Sequence, residues 1–241
     1  MKIRMKSRDK YIVLITGSRK GIGYNLSKYY LEKGNIVIGC SRSESDLKHE
    51  HYSHYCLDVS DEQQVNNLFM QIRKQFGRLD VLINNAGMAS MNHTLLTPLS
   101  TVNKLFDTNF VGTFLFSRQA VKLMKKNNFG RIVNFSTVAV PLNLEGEAIY
   151  AASKSAIEQF TKIFSKEIAS MGITVNSIGP TPIETDLIKA VPKIKIEELL
   201  NQQAIKRLGN FNDVINVVDF YISSNSDFIS GQTIYLGGVF K

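Results

Sequence analysis

No apolar run in this chain extends beyond a handful of residues, which is too short to cross a bilayer as a helix. No linker, internal repeat or low-complexity tract interrupts its 241 residues, so one domain over 1–241 is expected. Cysteine is scarce. The only two, Cys40 and Cys56, lack metal-ligand spacing and are expected to be small buried hydrophobes near strand ends. The basic start, MKIRMKSRDK, is followed by YIVLITG, whose apolar stretch is too short for a signal-peptide core and ends in a glycine turn. A cytoplasmic protein is expected. A hydrophobic fraction of 44% with 21% charged residues argues against disorder. The net charge of +8 suits an anionic partner. Beyond the first ten positions, however, the basic residues are scattered and no nucleic-acid motif accompanies them. The charge therefore points to an anionic cofactor or substrate, with no nucleic acid and no membrane as partner.

What is present is an alternation. Short β-branched runs at 11–16, 35–40, 54–59, 79–84, 130–136, 173–178 and 232–237 are separated by amphipathic segments. Helices are expected near 21–33, 61–76, 100–127, 150–171 and 211–223. Near-continuous apolar strands need cover on both faces, so the pattern predicts an α/β fold with a parallel, doubly wound sheet. Ser100 is the expected cap of the third helix, and Ser60 caps the second with Asp61 in its first turn. The stretch 181–206 breaks the alternation with Pro182 and Pro192 and reads as a lid.

TGSRKGIG, from Thr16 to Gly23, follows the first strand and opens the first helix. Gly17, Gly21 and Gly23 let the backbone turn tightly and approach a pyrophosphate at the helix N-terminus, with Ser18, Arg19, Lys20 and Ile22 completing the turn. The second strand closes on Ser41-Arg42 where an acid would accept from the ribose hydroxyls of NAD. A missing acid beside the cations Lys20, Arg42 and Arg19 favours NADP(H), whose 2′-phosphate needs such a cluster. Asp58, followed by Val59, can accept from the adenine amino group or cap the next helix.

Further on stand NNAG at 84–87, Asn109, the hydroxyl pair Ser136-Thr137 and YAASK at 150–154. Tyr150 and Lys154 are four apart and share a helix face. A phenol is a poor acid/base at neutral pH, and a nearby ammonium stabilises its phenolate. Tyr150 then protonates a substrate oxygen while a hydroxyl at 137 or 136 holds the carbonyl.

This ordered motif set resembles the short-chain dehydrogenase/reductase family over about Tyr11 to Gly238, closest in character to the 3-oxoacyl-acyl-carrier-protein reductases. The resemblance implies a Rossmann-type sheet of seven strands in order 3-2-1-4-5-6-7. It implies a catalytic set of Asn109, position 137, Tyr150 and Lys154, with Asn109 anchoring a proton-relay water. Cofactor contacts are implied at Asn85, Ala86 and Gly87, at Tyr150 and Lys154, and at Pro180, Ile183 and Thr185. It also implies a homo-oligomer, dimer or tetramer, pairing through the helices that carry Phe106, Phe110, Phe114, Phe160 and Phe164. Counting back from Tyr150 favours Thr137 over Ser136, and since strand neighbours face opposite ways only one can serve. Thr181 stands where the family has glycine. Met88, Met91, Leu142 and Leu144 suggest a partly apolar pocket for a small-molecule or acyl-thioester carbonyl substrate. The expected activity is a carbonyl reductase; the alternative is a non-catalytic NADP-binding sensor or scaffold.

Overall fold

The structure, a computed structural model, describes residues 10–183 and 193–240. Seven strands among them form one parallel sheet: β1 (Ile12–Thr16), β2 (Ile36–Ser41), β3 (Tyr52–Cys56), β4 (Val81–Asn84), β5 (Gly130–Phe135), β6 (Ile173–Gly179) and β7 (Thr233–Tyr235). Their order, β3-β2-β1-β4-β5-β6-β7, is the expected one. The direction of winding reverses between β1 and β4, which opens a crevice beyond the carboxyl ends of these strands.

Alternation along each strand divides the core into two layers. Leu14, Ile38, Leu82, Ile132 and Val175 face one way, under α2 (Glu62–Phe76) and α4 (Gly112–Met124), which supply Leu68, Phe69, Leu115 and Phe116. Val13, Ile15, Val37, Val81, Ile83, Val133 and Ile178 face the other way. There α1 (Gly21–Glu32) and α8 (Phe211–Ile222) cover them with Leu26, Tyr30, Val214, Val218 and Tyr221. Among the described residues no helix is long and apolar enough to cross a membrane.

Several expectations are corrected. The segment 100–127 is not one helix: α3 (Leu99–Phe106) passes through a π-helical turn at Asp107–Val111 into α4, and a 3-10 turn follows at Lys125–Asn127. α3 begins after Pro98, so Ser100 lies inside it and is not its cap. Asp61 caps α2, accepting from the Gln63 and Gln64 N–H groups, while Ser60 donates to Asp58. β3 ends at Cys56, so Asp58 and Val59 lie beyond the strand. Cys40 is buried as expected, but Cys56 is exposed because β3 is the sheet edge, and its thiol donates to Glu44 at 3.2 Å. Two further helices flank the site: α5 (Ala139–Leu142) and α7 (Lys193–Asn201). Part of the expected lid, 184–192 with Lys189 and Pro192, lies outside the described residues.

Candidate active site

The glycine turn leaves β1 and enters α1. Gly17 and Gly21 take positive φ, at 69° and 63°. At Gly17 and Gly23 a side chain has no room: a Cβ on Gly23 would lie 2.4 Å from the Gly17 carbonyl, and one on Gly17 would meet Ala86 Cα at 2.9 Å. At Gly21 the same position meets nothing within 4 Å, so that side of the turn is open. Asn85 pins the turn by donating to the Thr16 and Gly17 carbonyls, and the Ala86 N–H donates to Thr16 Oγ1 at 2.9 Å. α1 begins without a side-chain cap or an acidic residue in its first turn, which leaves its first N–H groups for an anion. Ile22 packs against the second core layer.

Arg19, Lys20 and Arg42 are exposed around this opening. Ser18 is buried and Ser41 half-buried, the latter donating to the Ser43 carbonyl at 2.7 Å. Asp58 holds the Ser60 N–H and hydroxyl on one carboxylate oxygen, at 2.9 and 2.6 Å. Val59 is buried against Gly112.

The chemical end is built by α6 (Ala148–Ile168) lying on β5. Lys154, 4% exposed, donates from Nζ to the Phe135 carbonyl at 2.7 Å. The Thr137 hydroxyl lies near enough to the Tyr150 phenol to lower its pKa. Ser136 instead donates to Glu158 at 2.5 Å, and Tyr235 donates to the same carboxylate oxygen at 2.6 Å. The adjacent hydroxyls thus go to different partners, and Thr137 is the one that reaches Tyr150. Asn109, fully buried in the π-helical turn, accepts from the Met88 N–H at 2.9 Å and donates to the Met88 carbonyl and to Ser153. Ser153 in turn donates to the Tyr150 carbonyl at 2.7 Å. A side chain on Gly87 would put its Cβ 3.2 Å from both Asn109 Oδ1 and Lys154 Nζ, tighter than an ordinary contact, so glycine keeps that approach uncrowded.

Burial sets the ionisation here. It pushes the Tyr150 phenol up to about 12, with the Thr137 hydroxyl acting downward and the Glu147 carboxylate upward. It brings the Lys154 ammonium down to about 8. The expected lowering of the phenol by Lys154 is therefore not what this structure has: desolvation governs Tyr150, and the Lys154 hydrogen bond goes to Phe135.

Pro180 follows β6, its carbonyl accepting from the Val138 N–H at 3.2 Å. Ile183 is buried and bridges Gly209. Thr181 is buried, its hydroxyl finds no partner among the described residues, and it lines a cleft of about 190 Å³ with Ile205, Asn216 and Leu236. Thr185 lies outside the described residues. Leu142 and Leu144 pack with Val138, Leu199 and Val239 beside Tyr235, which gives the site an apolar wall. Met91 is exposed, with its Cγ beside Gly146.

Sequence reasoning missed Glu158, Ser153 and the β3 pair Tyr52-His54. Glu158 was within reach, because it continues the four-residue spacing of Tyr150 and Lys154.

The crevice fits a dinucleotide. Its positive-φ glycines, the open side at Gly21 and the uncapped helix start offer backbone N–H groups a phosphate can use, and the Thr181 hydroxyl, without a partner among the described residues, is a group an amide can use.

Residues 11–195 match the short chain dehydrogenase family. The chain is 32% identical to 3-oxoacyl-acyl-carrier-protein reductase FabG of Escherichia coli K12 over 94% of its own length and 96% of that protein's. It is 31% identical to the Staphylococcus aureus reductase of the same name, over 93% and 96%. Among solved structures it resembles ElxO with NADP bound, at 33% identity and a TM-score of 0.87 over 95% of this chain and 98% of that one. It also resembles a Thermoplasma acidophilum aldohexose dehydrogenase, at 26% identity and 0.86 over 95% and 94%.

Proposed function

This chain belongs to the short chain dehydrogenase family, and we propose that it is an NADPH-dependent reductase of a carbonyl compound, with a 3-oxoacyl thioester as the first substrate to test. The observation that carries the reading is the convergence of Thr137 on Tyr150, with buried Lys154 on the same helix face and its Nζ beside Gly87. The 2′-phosphate of NADP(H) would meet Ser41, Arg42 and Lys20, and its pyrophosphate the turn at Gly21–Gly23. Asn85, Ala86, Gly87, Pro180, Ile183 and Thr185 would line the rest of the cofactor. When bound, the cofactor supplies a hydride.

Tyr150, protonated across the neutral range, donates its proton to the substrate oxygen as negative charge develops there. Thr137 donates a hydrogen bond to the same oxygen and holds it in line with the phenol. Lys154, charged below about 8, would bond the nicotinamide ribose and hold the cofactor beside Tyr150. Asn109 keeps the Met88 loop and Ser153 in place, and through Ser153 the first turn of the Tyr150 helix. The exposed Phe114 and Ile163, beside Phe110, Phe160 and Phe164, support assembly of a homo-oligomer through α4 and α6.

The test is NADPH oxidation by the purified protein with acetoacetyl thioester, aldohexoses and simple ketones. Turnover confined to the thioester supports the acyl assignment. Turnover confined to a sugar or simple ketone replaces the substrate class and keeps the reductase, and turnover of none defeats the reading.

A further inference from the structure

A chain of polar side chains runs beneath the adenosine end of the crevice. Ser18 Oγ lies 3.2 Å from Tyr52 Oη, which lies 2.8 Å from His54 Nδ1. The other ring nitrogen, Nε2, lies 3.0 Å from Ser41 Oγ and 3.0 Å from the Ser43 carbonyl. The chain thus ties the glycine turn, the end of β2 and the edge strand β3 together. Gly39 makes room for it, since a Cβ there would sit 2.3 Å from both Ser18 Oγ and Tyr52 Oη.

The bonding roles follow from the groups. The Ser43 carbonyl only accepts, so the Nε2 facing it carries a proton, and in a neutral ring Nδ1 then accepts from the Tyr52 hydroxyl. The Ser43 carbonyl is offered two donors, the Ser41 hydroxyl at 2.7 Å and His54 Nε2. One donor suffices. With the imidazole in place, the Ser41 hydroxyl can leave that carbonyl for an incoming anion without orphaning it. Without the imidazole the Ser41 hydroxyl is the one side-chain donor left to that exposed carbonyl, and only water can take its place there.

We propose that His54 is a positioning residue for cofactor choice: it holds the Ser43 carbonyl so that Ser41 is free to bind the 2′-phosphate of NADPH beside Arg42. This rests on the NADPH reading above. His54 touches neither the nicotinamide end nor the substrate wall, so its removal acts on one cofactor and not on the chemistry. A ring held only for packing would affect both cofactors alike, since NADH and NADPH share everything except that phosphate.

The experiment titrates wild type, His54→Phe, His54→Gln and Tyr52→Phe with NADPH and NADH, with a melting curve for each. Wild type is measured first. If it shows no preference for NADPH, the cofactor reading fails before His54 is tested. With the preference in place, His54→Phe weakens NADPH about tenfold, the size of one lost hydrogen bond to a charged group, and leaves NADH unchanged. His54→Gln, whose amide N–H reaches the same carbonyl, keeps most of the NADPH affinity. Tyr52→Phe, which frees the ring at Nδ1, falls between them and serves if His54→Phe does not fold. Equal losses for both cofactors, no loss in His54→Phe, or no rescue by His54→Gln overturns the proposal.

Discussion

Ser136 donates its hydroxyl to Glu158 at 2.5 Å, while its neighbour Thr137 is the hydroxyl that acts on Tyr150. Both residues lie just beyond the end of β5, and a third contact, Lys154 on the Phe135 carbonyl, ties the same helix to the same short segment. Tyr150, Lys154 and Glu158 thus meet Thr137, Phe135 and Ser136 from one helix face, the last two pairs as hydrogen bonds.

The split separates two substitutions. Thr137→Ala removes the hydroxyl that holds the substrate oxygen, and kcat/KM is expected to fall by about 10²–10³. Ser136→Ala leaves turnover within about tenfold but takes one donor from a buried carboxylate, at about 1–3 kcal/mol of stability. Steady-state kinetics and urea denaturation of both variants check this. The reverse order would place the catalytic hydroxyl at 136.

Lys154 gives the reaction its pH dependence. Its pKa is lowered by burial to about 8, so the ammonium is present below that pH and lost above it. The kcat/KM for reduction is expected to be level through neutrality and to decline as pH rises past about 8, with Tyr150 still protonated there. In Lys154→Arg the guanidinium stays charged, and whatever activity remains does not decline at that point. A pH–rate profile of both proteins decides it.

At the adenosine end, Arg42→Asp puts a carboxylate where the 2′-phosphate is proposed to sit. NADPH affinity is expected to drop by about tenfold or more, with NADH unchanged or improved. Equal losses for the two cofactors would mean the phosphate is read elsewhere.

Gly23→Ala tests the turn itself. The added Cβ would sit 2.4 Å from a backbone carbonyl, so the turn must shift. A cost of about 1–3 kcal/mol is expected, together with weakened binding of both cofactors, read by denaturation and titration.

The strands were legible because both sheet faces are covered, and their apolar runs stand out between polar turns. The Tyr150-Lys154 pair, the glycine turn and NNAG were legible because each lies within one short stretch of sequence. What stayed hidden depends on contacts between distant segments. The π-helical turn at Asp107–Val111 leaves no mark in the apolar periodicity, yet it is what buries Asn109 under Met88. α5 is one turn long, too short for a period to show. Cys56 reads as buried until β3 is known to be the sheet edge, and Tyr52-His54 read as ordinary strand polarity until β2 is laid beside them.

The central claim is that Tyr150 delivers the proton that accompanies NADPH-dependent carbonyl reduction. It is tested most directly by comparing wild type with Tyr150→Phe in two assays, NADPH binding and NADPH oxidation with acetoacetyl thioester. Wild type is expected to bind and turn over. Tyr150→Phe is expected to bind NADPH within a few-fold of wild type while turnover falls by at least about 10³. Undiminished turnover in Tyr150→Phe, or a wild type that neither binds nor oxidises NADPH, would contradict the account.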